Sequence, residues 1–185
     1  MSILPEFLQF DAEAAIIGRL LAGYATLEID LLHCVSQVTR NFDATLKAMF
    51  GDRGNAQRIG VAAKLGQQAY AKLGLGDDFD RAIDAMRYCL KIRNQYAHCN
   101  WYDDNSGQLA YVNVEELAKE KILIEGFEKL TRHHIDPGCL GLQEQYFGDM
   151  DKLLYYANLT GQFLRGETTT RYERPAELSK PPLHI

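Results

Sequence analysis

Between Asp11 and Arg40 the apolar residues Ile16, Ile17, Leu20, Tyr24, Leu27, Leu31, Cys34, Val35 and Val38 recur at spacings of three and four. That rhythm lays one apolar stripe along a single long helix, interrupted by no proline and softened only by Gly18 and Gly23. Such a stripe must be covered, and the rest of the chain offers more helices to cover it. A short one is predicted from Asp43, a candidate N-cap, to Phe50, stopped by Gly51. Ala56 to Leu73 carries Ile59, Ala62, Ala63, Ala69, Tyr70 and Leu73 at helical spacing and closes at Gly74. Asp77 or Asp78 then caps a third major helix to about Asn100, with Phe79, Ile83, Met86, Leu90 and Ala97 as its apolar set.

Beyond it the pattern changes. Trp101 and Tyr102 lead into Asp103-Asp104-Asn105-Ser106-Gly107, a strong turn signal, and Leu109 to Val114 reads as a strand, so a small hairpin is expected. Glu115 to Asp136 is ambiguous: Glu115-Leu117-Ala118 looks helical, whereas Ile122-Leu123-Ile124 suits a strand. Pro137-Gly138 resets the chain. Leu142, Tyr146, Met150, Leu153, Leu154, Ala157 and Leu164 then mark a last helix, ended by Gly166. The expected fold is all-α: an up-and-down bundle of four or five helices over residues 1–166, with a β-hairpin insertion after the third major helix. Residues 167–185 are polar, carry Pro175, Pro181 and Pro182, and read as an extended C-terminal tail outside the core.

Composition narrows the function. Among 185 residues, 20 Lys+Arg stand against 25 Asp+Glu, a net charge of −5, which excludes a generic basic nucleic-acid coat or polybasic membrane binder but leaves room for a local cationic site. No run approaches the roughly 20 apolar residues of a membrane helix. Met1 to Glu6 lacks the basic and apolar regions of a signal peptide. Cys34, Cys89, Cys99 and Cys139 form no CxxC pair, so reduced, packed thiols are expected. Together these point to a cytoplasmic protein.

One residue conflicts with its face. Projected at about 100° per residue, Arg93 falls in the middle of the sector holding Phe79, Ile83, Met86, Leu90 and Ala97. Arg87, Lys91, Asn94 and His98 form a separate polar stripe at i, i+4, i+7 and i+11. A guanidinium cannot shed its proton, so a buried one needs an anion. Glu28, set among Tyr24, Leu31 and Leu32 in the stripe of the first helix, is the expected partner. Two readings stay open: an ion pair that only fixes helix register, or a carboxylate that holds Arg93 rigid with its other donors facing a phosphate.

Arg93-Asn94-Gln95-Tyr96-Ala97-His98 resembles the signature of the HEPN superfamily (higher eukaryotes and prokaryotes nucleotide-binding), an Arg followed by a polar residue and then a His, with four to six residues between Arg and His, near the end of a late helix in an all-α bundle. The resemblance is close over these six residues and loose from about residue 11 to 165. It implies a homodimer that brings two motifs together across a twofold axis. It also implies a metal-independent endoribonuclease, needing no cofactor, of the kind found in toxin–antitoxin or defence systems, where an antitoxin-like protein partner restrains it. The hairpin and the tail lie outside the family pattern.

The residue types suit that chemistry. A histidine titrates near neutrality and serves as acid or base, so His98 is the expected proton carrier. Arg93 offers fixed charge and a bidentate fork for phosphate oxygens, and Asn94, one turn before His98, can orient the imidazole or the phosphate. Arg87 and Lys91 extend a track for an RNA backbone, or are simply a solvated face. Trp101 and Tyr102 are core, dimer seam or base-stacking platform. The alternatives to catalysis are a dimeric interaction or regulatory module and a pocket that binds a nucleotide without cleaving it. Adjacent His133 and His134, on an expected exposed loop, carry no metal-site expectation.

Overall fold

The structure, a computed structural model, describes residues 3–51, 54–119, 126 and 130–184. Along the described chain run α1 (Glu6–Gln9), α2 (Asp11–Thr39), α3 (Phe42–Phe50), α4 (Asn55–Lys72) and α5 (Gly76–Ala97). Strands β1 (Cys99–Asp103) and β2 (Leu109–Asn113), helix α6 (Val114–Leu117), strand β3 (His133–His134) and helix α7 (Pro137–Leu164) follow. The fold is mainly helical, with one small antiparallel sheet in the order β1-β2-β3. Among the described residues no helix is long and apolar enough to cross a membrane.

The stripe of α2 is buried as its spacing predicts: Ile17, Leu20, Tyr24, Leu27, Leu31, Cys34 and Val35 are all nearly inaccessible. The helix stops where Arg40 turns to a φ of 58°. The N-cap of α3 is Asn41, whose side chain accepts from the Ala44 amide at 3.0 Å, rather than Asp43. Asp43 instead pairs with Lys47 one turn on. After α4, Gly74 at φ 74° allows the Leu75 amide to reach Tyr70 O and the Gly74 amide to reach Ala71 O, a Schellman closure. Gly166 closes α7 in the same way through Gln162 O and Phe163 O. Pro137 takes the first position of α7, where its missing N–H costs nothing, and Asp136 caps the Gly138 and Cys139 amides.

The described chain resolves into two compact units. The first comprises Met1–Ala22, Lys91–Gln145 and Pro181–Ile185, and the second Gly23–Leu90 and Tyr146–Lys180. In the first, β2 is buried along its whole length because it lies between β1 and β3. Trp101 packs among Phe7, Tyr96 and Tyr111. In the second, Tyr70 stacks on Phe79 with ring centroids 4.4 Å apart, and the Tyr70 hydroxyl donates to Cys34 O. Gly66 makes that packing feasible, since a Cβ there would lie 2.5 Å from the Phe79 ring.

Several expectations are corrected. The third major helix, α5, ends at Ala97 rather than near Asn100, because Cys99 and Asn100 already belong to β1. The sheet has a third strand, with His133 opposite Tyr111 and His134 opposite Ala110, so these histidines are not on a free loop. The strand expected at Ile122-Leu123-Ile124 lies outside the described residues. The tail has no regular secondary structure, yet it is anchored. In the second unit Arg174 donates to Asp78 at 2.7 Å and Arg81 to Ala176 O at 3.2 Å. In the first, Pro181 is buried and Gln143 donates to Pro182 O at 2.8 Å.

Candidate functional site

The motif occupies the last turn of α5 and the residue after it. The final carbonyls of a helix have no intrahelical donor, and here two neighbours supply them. Asn113 Nδ2 donates to Asn94 O at 3.3 Å and Gln95 O at 3.2 Å, while Cys99 Sγ donates to Gln95 O at 2.7 Å. The Oδ1 of the same Asn113 accepts the Glu115 and Glu116 amides at 3.0 and 3.1 Å, capping α6. One 7% exposed side chain therefore ends one helix and starts another. The pairing of Cys99 with Asn113 and the 3.2 Å bond from the Val114 amide to His98 O bring α6 beside the motif.

The outcome is a carboxylate beside the imidazole. His98 is 48% exposed, and its Nε2 lies 3.3 Å from Glu115 Oε1. Sequence reasoning missed both Asn113 and Glu115. The available signal was Asn113-Val114-Glu115-Glu116, an Asn followed three residues later by Glu, which is a helix-start pattern. Asn94 is exposed, and its Oδ1 accepts from Arg93 Nη1 at 3.1 Å, so the two side chains brace one another. Lys91 is exposed one turn before Asn94.

The remaining candidates separate. Glu28 accepts from Arg58 Nη1 at 2.9 Å within the second unit, whereas Arg93, its expected partner, belongs to the first. The later buried residues of α5 are Cys89, Ile92, Gln95 and Tyr96, while Leu90, Arg93 and Ala97 are half-buried. Arg87 is held by Asp84 at 2.7 Å within its own helix and lies, like Glu28, in the second unit. Trp101 is 8% exposed and belongs to the core, so it offers no platform for a base. Tyr102 already carries Arg132, whose guanidinium carbon lies 4.8 Å from the ring centroid. Cys99 is no ready nucleophile: burial, then the Glu116 charge, pushes its thiol up to about 12.

An exposed imidazole with a carboxylate partner, one turn from an amide and near a guanidinium, can move protons and hold an anion. Comparison of the chain with protein-family models, with curated proteins and with solved structures returns no match.

Proposed function

We propose that the chain is an endoribonuclease of the HEPN kind, a helical bundle working as a homodimer on RNA without a metal cofactor. The observation that carries this reading is the placement of His98: open to solvent at the end of α5, with Glu115 at its Nε2 and Asn94 and Arg93 one turn away. His98 of one protomer takes the proton of a ribose 2′-hydroxyl, and the 2′-oxygen attacks the adjacent phosphorus. The bond to the 5′-oxygen breaks, and His98 of the second protomer, protonated, delivers a proton to that oxygen. The products are a 2′,3′-cyclic phosphate and a 5′-hydroxyl. Arg93 binds the phosphate oxygens and stabilises the charge of the phosphorane, with Asn94 in support and Lys91 along the backbone track. Glu115 positions the imidazole through its contact with Nε2. An antitoxin-like protein that covers this surface would restrain the activity.

The test is incubation of the dimer, its state checked by light scattering, with total cellular RNA in EDTA. The wild type is expected to cleave, and His98→Ala and Arg93→Ala to leave RNA intact. RNA bound but never cut by the wild type would instead make the motif a nucleotide-binding pocket, and a monomer that neither binds nor cuts would leave the motif a structural helix end.

A further inference from the structure

The second unit holds a cavity of about 980 Å³ that the motif does not use. Its apolar wall comes from Leu73 and Leu75 after α4 and from Phe163 and Leu164 at the end of α7. Arg171 to Arg174 of the polypeptide arm also line it. The volume is that of a small-molecule site, mainly apolar with a few polar groups converging on it.

One polar group in this lining is unemployed. Arg171 is exposed and has no hydrogen-bond or ion-pair partner among the described residues. Its neighbour Arg174 is engaged by Asp78, which Arg81 also contacts, so one carboxylate is shared by two guanidinium groups. With Glu173 and Asp77 included, the charges here balance, and Arg171 is the guanidinium that no carboxylate engages among the described residues. A guanidinium free of carboxylates beside apolar side chains suits an acid with an apolar body.

We propose that this cavity binds a small amphipathic anion, an acid head held by Arg171 with an apolar body lying against Leu73, Leu75, Phe163 and Leu164. Decanoate and 4-phenylbutyrate serve as probes, with decyltrimethylammonium as a cation of matching chain length. Titration calorimetry on the full chain is expected to show saturable binding of at least one acid and none of the cation. Arg171→Gln should weaken the acid about tenfold, the loss of one charge-assisted hydrogen bond. RNA cleavage is scored separately and is not expected to change in this variant. Absence of binding by both acids, equal binding of acid and cation, or acid affinity unchanged in Arg171→Gln would overturn the assignment.

Discussion

Glu28 is 6% exposed on α2, and Arg58, which meets it at 2.9 Å, also lies over the Phe50 ring at 4.8 Å. Removing one partner of a buried pair leaves the other charge poorly solvated, and this cost dominates the pair's own attraction. Glu28→Gln is therefore expected to destabilise by about 2–3 kcal/mol, below the full cost because Arg58 is a quarter exposed. For a chain of this size that lowers Tm by about 4–12 °C. Arg93→Met is expected to cost less than about 1 kcal/mol, since its guanidinium meets only the neighbouring Asn94 among the described residues. Equal losses in the two melts would refute the assignment. The sequence shows that a carboxylate on a buried stripe needs a cation; it does not say which of 20 Lys+Arg comes near. One or two residues of helical phase decide whether a side chain lies in the seam or beside it.

Helix ends that rest on local chemistry were legible, and contacts between elements were not. Gly74 and Gly166 read correctly as stops because only a residue at ease with positive φ closes a Schellman turn. The double cap by Asn113 depends on a hairpin that brings residue 113 opposite residue 99, a relation absent from any local window. The two-residue strand β3 is too short to show periodicity. Gly66 illustrates the same divide. Helix propensity alone says that Gly66→Ala should stabilise α4 by up to about 1 kcal/mol. Its Cβ would sit 2.5 Å from Phe79 Cζ, and Phe79 is fully buried and stacked on Tyr70, so the ring has little room to move. The expected net effect is a loss of about 1–3 kcal/mol, read as a lower denaturant midpoint with unchanged slope. A stabilised Gly66→Ala protein would show that the ring yields.

At the scale of the whole chain, the division into two compact units and the anchored arm had no signal in composition, because a polar, proline-bearing segment looks the same docked or loose. The anchor carries a pH dependence. His184 Nδ1 lies 2.7 Å from the Tyr96 hydroxyl, and its Nε2 accepts from the Asp136 amide at 2.9 Å, an arrangement that fits the neutral ring. Burial pushes its pKa below the usual 6.5, opposed by hydrogen bonding and charge from Asp136. The undocked arm therefore binds the proton more readily, so docking is fully favoured above pH 6.5 and weakens as pH falls below it. Exchange of the Asp136 amide, which donates to His184 Nε2, should be faster at pH 5.5 than at pH 8 after correction for intrinsic rates, and His184→Gln should remove the difference. Protection equal at both pH values would contradict this. The central claim concerns the other end of the chemistry, the proton transfer at His98. Its most direct test is the single-turnover cleavage rate of a defined RNA in EDTA, wild type against His98→Ala, with the product ends identified. The account predicts 2′,3′-cyclic phosphate ends and a rate lower by about 10²–10⁴-fold in the variant. RNA left whole by the wild-type dimer, or cut equally fast by both proteins, would contradict it.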